Sequence, residues 1–181
     1  MKILCDVDGC LLDMLKAISL RNPSFKPSGV VDYGFETPSY GIPGEEVFKL
    51  LAEKRTFELQ KPYRGAKEGI TQLKTLGEVY GWTSVTSELV PYRTFQCKKL
   101  GLDGQYVYEG EKSTELDGVV AVIEDDAKTL DRWREKGVIR ILIDRPYNRE
   151  NSVGYEVLEG TYRVKNIMES YELLKKLMRN T

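Results

Sequence analysis

Four short apolar runs, each ending in or followed by polar or acidic residues, constrain the fold of this chain more than any other feature of its sequence. They cover residues 2–7, 78–82, 119–123 and 138–143, and residues 105–108 form a weaker fifth run. Such runs are typical of strands buried on both faces of a parallel sheet. Helical patterns lie between them, at residues 65–76, 89–100 and 128–136. The alternation predicts an α/β fold: a doubly wound, Rossmann-like parallel sheet with helices on both faces.

Residues 14–63 interrupt this alternation. Prolines and glycines separate two helical patterns there, one starting near residue 14 and one at residues 45–54. A structureless loop of this length is rare in a compact domain. We therefore predict a small helical cap, residues 14–63, inserted after the first strand of a core formed by residues 1–13 and 64–181. An insertion at this point lies over the carboxyl edge of the sheet, where ligands bind in folds of this class.

The composition narrows the chemistry that such a core can perform. The 181 residues include 27 Lys and Arg against 28 Asp and Glu, which argues against binding to a nucleic acid polymer. The chain contains no histidine. This excludes a Ser-His-Asp triad, a Cys-His pair and a histidine-ligated zinc ion. Catalysis must therefore depend on carboxylates, hydroxyls, lysine or thiol.

The cysteines and the apolar segments bear on location. Cys5, Cys10 and Cys97 are odd in number and lie in or near apolar runs, which favours reduced thiols that pack in the core. The N-terminal run lacks the length of a signal-peptide apolar region, and no stretch reaches the roughly 18 apolar residues that span a bilayer. We expect a cytoplasmic protein that does not bind a membrane.

Polar side chains follow three of the predicted strands. They are Asp6 and Asp8, then Thr83 and Ser84, then Glu124, Asp125 and Asp126. The carboxyl ends of parallel strands gather in one crevice, so these residues are expected to lie together. Carboxylates this crowded repel one another unless a cation joins them, and ligands that are all oxygen favour Mg²⁺.

These motifs resemble those of the haloacid dehalogenase (HAD) superfamily of phosphatases. The resemblance lies in Asp6-Val7-Asp8-Gly9 after an apolar strand, a Thr/Ser pair after the second strand, a lysine, and an acidic pair after a later strand. Residues 56–59, 63–68, 82–84 and 144–148 are similar to the 5'(3')-deoxyribonucleotidase branch, which carries its small cap after the first strand. The resemblance covers nearly the whole chain.

The resemblance implies catalytic roles for three residues. Asp6 would attack phosphorus and form an aspartyl-phosphate, which splits one difficult displacement into two easier ones. Asp8 would protonate the leaving oxygen and then deprotonate the attacking water. Lys112 would neutralise both Asp6 and the phosphoryl group that is being transferred.

It also implies a phosphate site and a metal site. The phosphate-binding residues would be Gly9, Thr83, Ser84 and Lys112. Mg²⁺ would be held by Asp6, the backbone carbonyl of Asp8 and an acid of the third cluster, for which Asp125 is the preferred direct ligand. Glu124 would act on the metal through water or orient Lys112, and Asp126 is the poorer candidate.

Aromatic residues of the insertion allow two interpretations. Tyr33, Phe35 and Phe57 would either stack on a nucleobase, as the resemblance implies, or form the apolar core of the cap. Phe48 is expected in the core of the cap, because it belongs to a helical stripe with Val47, Leu50 and Leu51.

These expectations combine into a Mg²⁺-dependent phosphatase that acts on a small phosphate monoester, first of all a nucleoside or deoxynucleoside monophosphate. A HAD phosphatase for a sugar or polyol phosphate is the alternative enzyme. A phosphate-binding protein without turnover is the alternative from another class. The sequence leaves both a monomer and a homodimer open.

Overall fold

A parallel sheet of six strands forms the centre of the computed structural model, which describes residues 1–30, 32, 34–35, 40–149 and 158–179. The strands are β1 (Lys2–Cys5), β2 (Glu78–Ser84), β3 (Gly104–Tyr108), β4 (Val119–Glu124), β5 (Ile139–Ile143) and β6 (Thr161–Val164). The prediction of a Rossmann-like parallel sheet is confirmed, and all five predicted strands are present. The sixth, β6, is an edge strand without a fully buried residue, so it lacks the apolar run that marks the other strands.

Helices cover both faces of this sheet. The helices outside the insertion are α4 (Ala66–Leu73), α5 (Val90–Leu100), α6 (Ala127–Asp131) and α7 (Ile167–Leu177). Successive strand residues point to opposite faces, so Ile3 and Cys5 pack with α4, α5 and α7 whereas Leu4 packs on the side of α6 with Trp82 and Trp133. The two apolar layers leave the carboxyl edge of the sheet for polar groups.

The order of the strands places a crevice at that edge. The sheet runs β3-β2-β1-β4-β5-β6, so the chain builds outward from β1 on one side and then from β4 on the other. Ligands bind at this kind of reversal in open α/β sheets. The backbone N–H of Asp6 donates to the carbonyl of Ile123 at 2.9 Å, which holds the ends of β1 and β4 side by side.

The described part of the insertion contains the α-helices α1 (Met14–Arg21), α2 (Gly44–Leu51) and α3 (Lys54–Leu59). Its own apolar cluster includes Ile18, Phe25, Val30 and Val47. The chain enters and leaves it through two paired segments, since Asp13 N–H donates to the carbonyl of Lys61 and Tyr63 N–H to that of Leu11, both at 2.9 Å. Within the described ranges, every helix is too short or too polar to cross a bilayer.

Candidate active site

A partly exposed lysine joins two buried carboxylates at the ends of β1 and β4. Lys112 Nζ lies 2.5 Å from Asp6 Oδ1 and 2.7 Å from Glu124 Oε2. Trp82 fixes the loop that carries this lysine, because its indole N–H donates to the carbonyl of Ser113 at 3.1 Å and its ring centre lies 4.6 Å from Lys112 Nζ. The lysine therefore has a fixed position, with its charge next to the carboxylate that follows β1.

Glu124 is fully engaged by the protein. One oxygen contacts Lys112, and the other accepts the backbone N–H groups of Asp125 at 3.1 Å and Asp126 at 3.3 Å. This geometry fits a residue that orients Lys112 better than it fits a direct metal ligand. Asp126 accepts hydrogen bonds from the N–H and hydroxyl of Thr129 and is the N-cap of α6.

The segment after β5 fixes Asp125. Tyr147 donates its hydroxyl hydrogen to Asp125 Oδ2, and Asn148 Nδ2 donates to the backbone carbonyls of Asp125 at 2.7 Å and Ile143 at 2.8 Å. Burial raises the pKa of the Cys10 thiol, which therefore keeps its proton. The thiol lies 3.8 Å from Asp125 Oδ1 and acts there as a weak hydrogen-bond donor. These contacts give the buried Asp125 side chain a defined position.

Gly9 sits in the turn between these groups and must be glycine. Its φ of +76° is the left-handed conformation, and a Cβ there would overlap Asp125 Oδ2 and lie 2.6 Å from the Tyr147 hydroxyl. Its carbonyl accepts a hydrogen bond from Arg145 Nε at 2.6 Å, and that guanidinium packs 4.3 Å from the ring centre of Tyr63. Arg145 therefore holds the turn after β1 on one side, while Asp125 and Tyr147 pack closely against Gly9 on the other.

Burial dominates the electrostatics of the cluster. It raises the pKa of Asp6 to about 8, where the Glu124 carboxylate adds to the shift and Lys112 opposes it. Burial likewise raises the pKa of Glu124 to about 8 against the effect of Lys112, and that of Asp125 to about 7 with a contribution from Asp6. Burial lowers the pKa of Lys112, but Asp6 and Glu124 outweigh it, so the net shift is upward. The single positive charge of Lys112 therefore does not balance the negative charges that Asp6, Glu124 and Asp125 carry when all three are ionised.

These residues fit a magnesium ion. Asp6 Oδ2 is buried and accepts no hydrogen bond from the described residues. A ligand atom of Asp6, one of Asp125 and the Cys10 sulfur lie within 4.8 Å of one another. Carboxylate oxygens are the ligands that Mg²⁺ prefers, and a divalent cation would supply the missing positive charge. Asp6 and Asp125 are the candidate ligands in this arrangement, while the carbonyl of Asp8 stays a prediction.

We expect the metal-free protein to lose stability as the pH rises from about 4 to 8. The folded state keeps protons on Asp6 and Glu124 up to about pH 8, whereas the unfolded chain releases them near pH 4. Because the folded state binds more protons in this window, raising the pH favours unfolding. Mg²⁺ binds the ionised carboxylates, so it should raise the melting temperature more at about pH 8 than at about pH 6. Thermal melts with EDTA and with Mg²⁺ at both pH values test this, and an equal magnesium effect at both would contradict it.

Thr83 and Ser84 are the last two residues of β2. The Thr83 hydroxyl is buried and has no hydrogen-bond partner in the described part of the chain. A buried hydroxyl of this kind is costly unless a ligand satisfies it. Ser84 Oγ donates to the carbonyl of Gly110 at 2.6 Å and lies on the wall of a cavity that also includes Asp8. Neither residue caps the following helix.

That cavity has a volume of about 370 Å³ and lies between the insertion and the core. Its apolar lining comprises Met14, Phe48, Leu51, Ala52, Phe57, Val85 and Leu89. Asp8 faces it and accepts hydrogen bonds from Gln60 Nε2 at 2.8 Å and from Arg93. Asp8 thus lies between the acidic cluster at the sheet edge and an apolar cavity wall.

The structure supports one of the two interpretations for Phe35 and contradicts the expectation for Phe48. Phe35 is buried in the apolar core of the insertion, with its ring centre 6.5 Å from that of Phe25, and it does not line the cavity. Phe48 was expected in that core, yet it is 53% exposed and lines the cavity. Phe57 lines the cavity as one of the two interpretations requires, and Tyr33 lies outside the described residues.

Comparison with known proteins identifies the fold. No protein-family model matches the chain, and no curated protein matches it. Solved structures do match. A protein described as a predicted phosphatase, from Clostridium acetobutylicum, is similar with a TM-score of 0.62 and 14% identity over 97% of this chain and 98% of that one.

Two further structures have the same architecture. The HAD hydrolase YfnB from Bacillus subtilis, bound to magnesium, matches with a TM-score of 0.56 and 12% identity over 96% of this chain and 97% of that one. The L-2-haloacid dehalogenase from Xanthobacter autotrophicus, with chloropropionic acid covalently bound, matches with a TM-score of 0.59 and 8% identity over 96% and 98%. The chain has the HAD-like fold. The neighbours with this fold include hydrolases of different reactions, so the reaction must be argued from the site.

Several residues that shape the site within this HAD-like fold carry no sequence-based role. Tyr147 and Asn148 belong to the segment 144–148 that supports the resemblance, and the structure shows that they anchor Asp125. Arg93 has a different signal. It lies four and seven residues before Cys97 and Leu100, on the buried face of α5, where a charged residue is unusual. A charge on an apolar helical stripe is the pattern that indicates a functional residue.

Proposed function

We propose that this chain is a Mg²⁺-dependent phosphatase that hydrolyses nucleoside or deoxynucleoside monophosphates to nucleoside and phosphate. The observation that carries the proposal is the contact of Lys112 with Asp6, at 2.5 Å and at the carboxyl edge of the sheet. A carboxylate nucleophile meets electrostatic repulsion from an anionic phosphate ester. A fixed ammonium beside it reduces that repulsion and stabilises the negative charge of the transition state.

The proposed hydrolysis has two steps, and the described residues offer a group for each. An oxygen of Asp6 attacks phosphorus, the bond to the ester oxygen breaks, and Asp8 gives a proton to that oxygen. Water then attacks the aspartyl-phosphate, Asp8 takes a proton from the water, and the bond from Asp6 to phosphorus breaks. Asp6 and Asp125 would hold Mg²⁺, which would supply positive charge to offset that of the phosphate and the carboxylates. The Thr83 hydroxyl, which lacks a partner among the described residues, is the candidate donor to one of those oxygens.

The cavity beside Asp8 supports a substrate with an apolar, planar organic group and one phosphate. Phe48 and Phe57 offer aromatic surface for a nucleobase. Among the described lining residues, the charged ones are Asp8 and Glu109, and both are acidic. A second phosphate group would be repelled there, which disfavours bisphosphates. A polyol or sugar phosphate would leave the apolar wall without a partner.

The position of Asp8 also favours a phosphate ester over a halogenated acid. A halide ion leaves without a proton, whereas an alkoxide needs one. Asp8 faces the cavity two residues after Asp6, where it can supply that proton.

The proposal includes a cytoplasmic location, because Cys5, Cys10 and Cys97 are all unpaired thiols.

A substrate panel tests the proposal. Purified protein with Mg²⁺ should release phosphate from nucleoside monophosphates faster than from sugar phosphates, and EDTA should stop the release. The panel includes 4-nitrophenyl phosphate as a generic ester and 2-chloropropionate as a halogenated acid. Release of chloride alone, or binding of nucleotides without any phosphate release, would overturn the proposal.

A further inference from the structure

Two side chains hold the two oxygens of Asp8. Arg93 Nη2 in α5 contacts Oδ2, and Gln60 Nε2, directly after α3, donates to Oδ1 at 2.8 Å. The Arg93 side chain is fully buried, while that of Asp8 is 19% exposed and faces the cavity. The carboxyl group of Asp8 is therefore oriented from both sides, by the core through Arg93 and by the insertion through Gln60.

The stability of the fold does not explain this arrangement. Arg93 Nε and Nη1 are buried and have no hydrogen-bond partner among the described residues. A buried guanidinium with two unsatisfied nitrogens costs free energy, and an apolar residue of similar size would serve the packing of α5 better. Costly buried charges concentrate at functional sites. Among the residues that the structure describes, Arg93 pairs with one carboxylate, that of Asp8, and the ring centre of Phe57 lies 4.7 Å from Arg93 Cζ.

Gln60 is itself held in the orientation that faces Asp8. Gln96 Nε2 donates to Gln60 Oε1 at 3.0 Å and to the backbone carbonyl of Phe57 at 2.8 Å. Because Gln60 uses its oxygen as the acceptor from Gln96, its amino group is left to donate to Asp8. Phe57 lines the same cavity, so the wall of the substrate pocket and the orientation of Asp8 depend on one set of contacts.

We infer that Arg93 and Gln60 are positioning residues that aim the Asp8 carboxyl group at the leaving oxygen. The inference rests on the proposed phosphatase function and adds to it the side chains that set the geometry of proton transfer. Proton donation requires the acid within hydrogen-bond reach of the oxygen that leaves. Without these two donors, the Asp8 side chain can rotate into the cavity, and the proton is no longer delivered along the breaking bond.

A comparison of two substrates whose leaving groups differ in basicity tests this role. A nucleoside leaves as an alkoxide and needs the proton, whereas 4-nitrophenolate leaves without one. Arg93→Met should lower kcat/KM for a nucleoside monophosphate by about 10-fold or more, a part of the roughly 10²- to 10⁴-fold that general acid catalysis supplies. For 4-nitrophenyl phosphate, kcat/KM should fall less than about 3-fold, since this constant covers only the steps up to departure of the leaving group and Asp8 contributes little to that departure. Gln60→Leu should shift the ratio of the two kcat/KM values in the same direction, and Arg93→Lys should restore part of it.

Matched variants separate positioning from a structural role. Arg140→Met also removes a buried guanidinium, which pairs with Asp131 at 3.0 Å away from Asp8, and should leave the ratio unchanged. In an Asp8→Asn background, Arg93→Met should have no further effect on the ratio. Equal losses for both substrates in Arg93→Met and Gln60→Leu would overturn the inference while the wild type still hydrolyses both. If the Arg93→Met variant does not fold, the ratio of the two substrates' rate constants measured for Gln60→Leu tests the inference instead. A wild type that hydrolyses neither ester would instead overturn the proposed function.

Discussion

Replacement of Asp6 by asparagine should reduce phosphate release from a nucleoside monophosphate by on the order of 10³-fold or more, the scale of loss when a catalytic nucleophile is removed. The asparagine amide is a poor nucleophile toward phosphorus and cannot form an aspartyl-phosphate. The change keeps the shape of the side chain. It also removes a buried acid whose pKa of about 8 indicates that its charged form is costly there. The variant should therefore fold, and its melting temperature should not fall below that of the wild type at about pH 8 in EDTA.

Steady-state assays and acid-quenched single turnovers measure this effect. The wild type should show protein-bound phosphate at short times, and Asp6→Asn should show none. Asp126→Asn is the matched control, because Asp126 caps α6 and asparagine caps helices equally well. It should retain activity within about 3-fold, the range expected of a change outside the reacting groups. An Asp6→Asn protein that keeps a tenth of wild-type activity would contradict the role of Asp6.

The sequence predicts those parts of the molecule that depend on local pattern. Asp6, Glu124 and Asp125 lie directly after or at the ends of apolar runs, and a parallel sheet must bring such ends together. The same logic places Thr83 and Ser84 at the edge, although they belong to β2 itself rather than to the loop after it. The edge strand β6 has no apolar run, because solvent faces it, so pattern alone does not show it.

The helix α2 shows where pattern reasoning fails. Spacing of three residues relates Val47 to Leu50 and Phe48 to Leu51, which gives two adjacent stripes rather than one. Val47 and Leu50 are buried in the cap, whereas Phe48 and Leu51 line the cavity. Periodicity shows which residues share a face, but the tertiary structure decides what covers that face.

The sequence pattern also does not show contacts at the sheet edge between residues that are far apart in the chain. Arg93 is 85 residues from Asp8, and Tyr147 is 22 residues from Asp125. No local spacing links either pair, since their distance depends on how α5 and the segment after β5 pack on the core. The sequence therefore predicts the candidate reacting groups, whereas the residues that contact and orient them are found only in the packed structure.

Lys112→Met should lower kcat/KM for a nucleoside monophosphate by about 10²- to 10³-fold, the usual loss when one electrostatic contact to a transition state is removed. In the described part of the chain, Lys112 is the cation that contacts both Asp6 and Glu124. Methionine keeps the apolar stem and removes the charge. Lys136→Met is the control, because Lys136 pairs with Glu115 at the surface and should change neither activity nor stability measurably.

The pH dependence of stability separates the charge of Lys112 from its packing. In EDTA below about pH 7, Asp6 and Glu124 hold protons in both proteins, so the variant should unfold at a similar urea concentration to the wild type. Above about pH 8 the wild type ionises these carboxyl groups beside the ammonium, and the variant must do so without it. The free energy of unfolding should then be lower in the variant by about 3 kcal/mol, the loss typical of a broken buried ion pair. A loss of equal size at both pH values would instead mean that the contact of Lys112 with the Trp82 ring, at 4.6 Å, is its main contribution.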